Sequence, residues 1–333
     1  MKINIEERTF HFKQPAGTSR GVYTERRSWL VRVSDGSSVG VGECAPLPQL
    51  SCDDIPDYAV RLRHFCDEVE RTGEIPYDDL RDYPSMLFGL ETAVWDYKRE
   101  RREGRSVGIP INGLVWMGTF DEMSCRIEEK LQQGFRCIKL KIGAIDFDAE
   151  LRLLKQIRER FSPREVELRV DANGAFTFDE ALYKLELLSQ YALHSIEQPI
   201  RAGQWANMAE LCRESPLPIA LDEELIGIND PNQKRQMLNI IRPRYIILKP
   251  SLHGGMMGCR EWIDIARDMG IGSWITSALE SNIGLNAIAQ FCSDVYGDAI
   301  TMPQGLGTGQ LFTDNIPMPL EIRDAHLWIS RNS

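Results

Sequence analysis

The chain has 333 residues, 43% hydrophobic and 26% charged, an ordinary globular composition with enough length for a large core and a second unit. A net charge of -10 has the wrong sign for general polyanion binding, which excludes nucleic acid as the expected partner. No run approaches the ~20 apolar residues of a membrane span, and the opening MKINIEERTF has no apolar signal region, so a cytoplasmic protein with no membrane partner is expected.

Residues 1–108 read as a small α+β capping domain. KINIEERTFHF and RRSWLVRVSD alternate with period two, and Asp35-Gly36 then turns the chain into SVGVGE, a hairpin signal. The polar stretch PAGTSRGVYTERRSW (15–29) reads as a loop between the first two strands. Helical texture follows around 53–72 and 84–102. The basic run Lys98, Arg99, Arg101, Arg102 and Arg105, broken by Glu100 and Glu103, reads as a solvated helix end. Eight scattered cysteines (44, 52, 66, 125, 137, 212, 259, 292) show no CxxC, several lie in apolar segments, and reduced thiols are expected.

From residue 109 the texture changes. Eight short apolar runs alternate with helical segments: INGLVWMG, CIKLKIG, VELRVDANG, LHSIEQP, LPIALDEE, YIILKPS, GSWITSA and DAITMPQG. That pattern predicts α/β architecture, with a parallel sheet closed into a (β/α)8-type barrel over 109–318, possibly a modified one. A doubly wound nucleotide-binding sheet would show a glycine-rich turn after an early strand, and none is present. The tail 319–333 is expected to pack back on the capping domain.

Polar groups recur where these runs end. Lys139 and Lys141 share one face of the second run, because side chains two apart in a strand point the same way. Asp171 closes the third run with Asn173 beyond it, Glu197 the fourth, Asp222 the fifth with Glu223 beyond it, and Lys249 the sixth. The steps from Asp171 to Glu197, to Asp222 and to Lys249 are 26, 25 and 27 residues, one β/α unit each. Each residue alone has a bland reading as a turn, cap or surface charge. Recurrence in register places them at one mouth of the barrel, the face where such folds carry chemistry.

Three converging carboxylates repel one another without a cation, and an oxygen-only donor set suits a hard ion, Mg2+, with Mn2+ able to substitute. Such an ion, a neighbouring ammonium and partial burial would lower a lysine's pKa towards neutrality. A metal flanked by lysines on opposite faces suits proton removal α to a carboxylate, so the expected partner is a small-molecule carboxylate.

KLK, VDAN, IEQP, LDEE and LKPS, with the N-terminal domain, resemble the enolase superfamily in its muconate-lactonising branch, where lysine bases work with Mg2+. GVGECAPLPQLS, PINGLVWMG, SALESNIGL and PQGLGTGQLF are similar to the o-succinylbenzoate synthase family within it. The resemblance implies Asp171, Glu197 and Asp222 as metal ligands, supported by Asn173 and Glu223. It makes Lys141 the base, Lys249 the group on the opposite face, and Lys139 a contact to the substrate carboxylate. It implies a lyase that dehydrates 2-succinyl-6-hydroxy-2,4-cyclohexadiene-1-carboxylate to o-succinylbenzoate in menaquinone biosynthesis.

Ser277, Glu280 and Ser281 after the seventh run, and Gly305 and Gly307 of GLGTG, are candidate substrate contacts; GLGTG lacks the Lys-Ser/Thr of a phosphate loop. In this superfamily a loop such as 15–29 closes over the site. His253 reads as a loop histidine near the rim. Two alternatives stay open: racemisation of N-succinylamino acids by the same lysine pair, and a barrel that only binds. Dipeptide epimerases of the branch carry Asp-x-Asp where this chain reads MPQGLGTG. The oligomeric state is not legible.

Overall fold

The computed structural model describes residues 1–18, 21–99, 106–297 and 300–330. The N-terminal unit is an antiparallel sheet of β1 (Lys2–Thr18), β2 (Gly21–Ser34) and β3 (Val39–Cys44), followed by α1 (Tyr58–Thr72), α2 (Tyr77–Leu80) and α3 (Pro84–Lys98). Of the residues read as a loop over 15–29, 15–18 instead prolong β1 and 21–29 begin β2, while Ser19 and Arg20 lie outside the described residues. After an irregularity between His11 and Ala16 the strands pair again at Ala16↔Tyr23 and Gly17↔Val22. A glycine and polar side chains suit a two-stranded ribbon as well as a loop, and pairing supplies the backbone hydrogen bonds.

Helix α3 is buried on all sides from Pro84 to Val94, with Gly42 of β3 against Gly89 on one flank and the helix Gly255–Asp268 on another. A Cβ on Gly42 would stand 1.9 Å from the Gly89 carbonyl oxygen, so only glycine admits this approach. Lys98 is exposed and Arg99 stacks on Trp95; residues 100–105, the rest of the basic run, lie outside the described residues.

The barrel is a seven-stranded parallel sheet of β5 (Gly113–Val115), β6 (Cys137–Lys141), β7 (Glu167–Asp171), β8 (Ser195–Glu197), β9 (Ile219–Leu221), β10 (Tyr245–Leu248) and β11 (Gly272–Ile275), in sequential order. Helices α4 (Phe120–Gln132), α5 (Phe147–Arg160), α6 (Phe178–Ser189), α7 (Trp205–Glu214), α8 (Pro231–Ile241), α9 (Gly255–Asp268) and α10 (Asn282–Tyr296) follow the strands in turn. Capping residues start several of them: Thr119 and Glu122 form a capping box at α4, and Asp146, Asp230 and Ser281 accept first-turn N–H groups.

Asp298 and Ala299 lie outside the described residues, and the described part of the eighth run, residues 300–305, forms no regular strand. It closes the ring through single bridges, Ile111↔Gln304 and Thr276↔Gly305, because Pro303 has no N–H to donate. The barrel is therefore the modified, (β/α)7β, form.

Strand β4 (Val107–Pro110) pairs with β13 (His326–Ile329), which pairs with β12 (Leu320–Arg323). The expected boundary at 108/109 falls inside β4. The described part of the tail, 319–330, does not join the capping core: Leu327 and Ile329 join the barrel's core cluster beside Val107 and Ile109, where their apolar area finds a partner, and 331–333 lie outside the described residues. A third apolar cluster, with Phe10, Phe12, Leu47, Leu252, Leu279 and Phe312, joins the ribbon to the barrel mouth. Among the described residues no helix is long and apolar enough to cross a membrane.

Candidate active site

Strand register builds the site. Lys141 pairs laterally with Asp171, and Asp171 with Glu197, so three functional side chains stand in one row across β6, β7 and β8. Asp222 follows β9 and Lys249 follows β10. Lys141 Nζ lies 2.6 Å from Asp171 Oδ2 and 2.8 Å from Asn173 Oδ1. Lys139 Nζ lies 2.9 Å from Asp171 Oδ2 and also pairs with Glu197. Lys249 pairs with Asp222. Asn173 Nδ2 donates to Glu223 Oε1 at 2.9 Å, which ties the third strand end to the fifth.

Burial opposes the charges on Asp171 and Asp222, but the lysines beside them outweigh it and hold both carboxyls below the usual range. Burial pushes Glu197 and Glu223 up, aided by Asp171 at the former and Asp222 at the latter. Lys139 and Lys249 run against the expectation of a lowered lysine pKa. Burial lowers each, yet their carboxylate partners win and the net direction is upward. A divalent cation among those carboxylates would cancel that pull.

Among the described residues no three carboxylate, histidine or cysteine side chains stand in ready metal-binding geometry; ammonium groups balance the charge instead. The donor set nonetheless fits a hard cation. Glu197 Oε1, Asp222 Oδ1 and Glu223 Oε2 are buried without any hydrogen-bond partner, which is costly unless something positive meets them.

The cavity above this row is lined by Lys139, Lys141, Asn173, Glu223 and Lys249 at its base. Ser277, Gly305 and Gly307 line its wall. Apolar surface comes from residues that include Leu114, Trp116 and Leu279, and Leu47 and Leu50 of the capping domain; Gly17 of the ribbon also lines it. Gly305 is required by space, since a Cβ there would lie 2.1 Å from Thr276 Oγ1.

Glu280 and Ser281 are corrections: neither lines the cavity. Both are fully buried, Glu280 accepting from Ser251 Oγ and from the Ala278 N–H at 2.7 Å, Ser281 capping α10 and donating to Glu43 at 2.6 Å. His253 is no rim residue either. It is buried, burial pushes its pKa down to about 3, and its Nδ1 accepts the Lys249 backbone N–H at 2.9 Å.

Residue-by-residue reading missed Gln198 and Glu224. Gln198 Oε1 accepts the N–H groups of Asp222 and Glu224, both at 3.2 Å, while its amide donates to Glu224 Oε2 at 3.1 Å. The side chain thus fixes the turn that presents Asp222. Their place in IEQP and LDEE was the available signal.

Residues 122–332 match the Enolase C-terminal domain-like family, and residues 18–97 match the MenC N-terminal domain. The o-succinylbenzoate synthase of Desulfotalea psychrophila is 45% identical over 99% of both chains. The chain belongs to the o-succinylbenzoate synthase family of the enolase superfamily. Membership makes it a metal-dependent carbon–oxygen lyase of menaquinone biosynthesis.

The family's Bacillus subtilis member is 25% identical over 99% of this chain and 91% of its own. The crystal structure of MenC from D. psychrophila superimposes with a TM-score of 0.82, at 42% identity and 99% coverage of each chain. A dipeptide epimerase from Enterococcus faecalis, solved with Mg and L-Leu-L-Tyr, gives 0.83 at 18% identity, covering 98% of this chain and 96% of its own, and so shares the fold.

Proposed function

We propose that this member of the family dehydrates 2-succinyl-6-hydroxy-2,4-cyclohexadiene-1-carboxylate to o-succinylbenzoate with Lys141 as base and Lys249 facing it. The observation that carries the roles is the pairing of Lys141 with Asp171 on one flank and of Lys249 with Asp222 on the other.

Asp171, Glu197 and Asp222 would hold Mg2+, with Asn173 and Glu223 fixing the surrounding polar groups. When bound, that ion supplies the positive charge that makes the α-proton of the substrate carboxylate acidic. Lys139, between Asp171 and Glu197, orients the carboxylate by charge-assisted hydrogen bonding. Lys141 Nζ takes the C1 proton, the C–H electron pair becomes a ring double bond, and the C6–O bond breaks. The departing hydroxide leaves as water after protonation by the Lys141 ammonium on the same face, and the ring becomes aromatic. Lys249, which follows β10 and lines the base of the cavity, stabilises the developing negative charge from the other side.

The apolar wall of Leu47, Leu50, Leu114 and Trp116 keeps water from the ring. The test is direct: the substrate is supplied with Mg2+ and conversion followed optically, with N-succinyl-phenylglycine in D2O run in parallel. Turnover of the first is expected. Deuterium exchange without dehydration would replace the synthase reading by a racemase.

A further inference from the structure

Glu280 belongs neither to the cavity wall nor to the metal cluster, yet it is among the most deeply buried charges in the chain. Its two oxygens serve different loops. Oε1 accepts from Ser251, two residues past Lys249, and Oε2 accepts the Ala278 N–H at 2.7 Å. Between Ala278 and Glu280 stands Leu279, whose backbone has φ 64° and whose side chain forms part of the cavity wall. A leucine in the left-handed region is strained and persists only where its surroundings over-determine it.

Those surroundings come from the capping domain. Arg26 on β2 donates to the Ala278 carbonyl at 3.4 Å while also binding the Ala45 and Pro46 carbonyls. Glu43 on β3 accepts the Ser281 N–H at 3.0 Å, the Ser281 hydroxyl at 2.6 Å and the Gly284 N–H at 3.0 Å. Both sides of the Leu279–Glu280 step are therefore held by capping strands. Packing alone would not call for this: Arg26 is 1% exposed and Glu43 and Glu280 are 0%, and desolvating three charges is costly.

We propose that Glu280 is a positioning residue for Lys249, transmitting the placement of the capping domain through Ser251 to the loop that carries the lysine. The segment 249–253 is short and internally braced. The Lys249 N–H is bound to His253, and the Leu252 and His253 N–H groups return to the Lys249 carbonyl at 2.8 and 3.0 Å. A shift at Ser251 therefore moves the ammonium. Leu279 and Lys249, one on the wall and one at the base of the same cavity, are set by one carboxylate.

The inference rests on the role given to Lys249 above. The experiment measures kcat, KM and thermal unfolding for Glu280→Ala, Glu280→Gln, Ser251→Ala and Lys249→Ala, assayed well below each unfolding temperature. Glu280→Ala is expected to lower kcat about 30-fold, because sub-ångström to ångström misplacement of a reacting group costs up to about 100-fold, with KM changed no more than about threefold. Glu280→Gln keeps an oxygen for the Ala278 N–H and an amide for the Ser251 hydroxyl, and should recover to within about threefold of wild type. Ser251→Ala should cost about tenfold, and combining it with Glu280→Ala should add little, since both break one path. Folded Glu280→Ala with wild-type kcat, or a glutamine variant as poor as alanine, overturns the proposal. If Glu280→Ala does not fold, Ser251→Ala decides, and an unchanged kcat there overturns it. Lys249→Ala as active as wild type would overturn both this proposal and the functional reading, whereas an impaired Lys249→Ala beside a normal Ser251→Ala would remove the proposal alone.

Discussion

Lys141 and Asp171 are lateral neighbours on adjacent parallel strands, and their side chains meet at 2.6 Å inside the barrel. Both residues end their strands, and the sheet register fixes their backbones side by side. Replacing Lys141 by alanine removes the proposed base while Lys139 still balances Asp171. We expect a loss in kcat of about 100- to 10,000-fold, the usual contribution of a general base, with the folded state retained. Steady-state kinetics beside circular dichroism checks this, and near wild-type turnover would remove Lys141 from its role.

The orphaned oxygens of Glu197, Asp222 and Glu223 lead to a metal prediction with a readout beyond turnover. A cation held by these oxygens would bind the folded chain and not the unfolded one, so adding Mg2+ should raise the unfolding temperature, and EDTA should reverse the shift. Glu197→Gln should shrink that shift and weaken the apparent affinity for Mg2+ without unfolding the barrel. An unfolding temperature indifferent to Mg2+ in the wild type would count against the site.

Glu91 offers a pH prediction away from the active site. It sits on α3 and accepts the N–H groups of Met256 and Met257, at 2.6 and 3.0 Å, at the start of α9. Burial pushes its pKa up from 4.5 to about 8, more than those two hydrogen bonds pull it down. A carboxyl with a raised folded pKa holds its proton more tightly when folded. Its stabilisation is complete below pH 4.5 and is lost as pH climbs through about 8. The difference in unfolding temperature between wild type and Glu91→Gln should therefore drift by several degrees against the wild type from pH 5 to pH 8. A constant difference across that range would show that Glu91 does not titrate there.

Gly42 tests the seat of the capping helix. Alanine there places a methyl 1.9 Å from the Gly89 carbonyl oxygen, a backbone atom that cannot step aside. Overpacking of this kind costs about 1–3 kcal/mol or more. Denaturant unfolding of Gly42→Ala should show a loss of at least that size, whereas Gly36→Ala in the open β2–β3 turn meets no neighbouring atom and carries only its own backbone strain from φ 92°.

The sequence alone determined the frame of this protein. Polar residues at 25- to 27-residue steps sit one β/α unit apart, and period-two alternation puts Lys139 and Lys141 on one face, so the carboxylates and lysines had to meet at one mouth. Those are local periodicities, and a linear text carries them. Tertiary structure alone decided which way the loop residues turn. Glu280 and Ser281 stand after β11 like pocket residues, yet both turn inward, and Ser281 does so to meet Glu43, 238 positions away in the sequence. His253 is buried by its neighbours in space, the ribbon is paired where polarity suggested a loop, and Lys139 and Lys249 titrate upward because of which carboxylates they touch. Each of these depends on desolvation and partners supplied by distant segments, and no spacing along the chain records them.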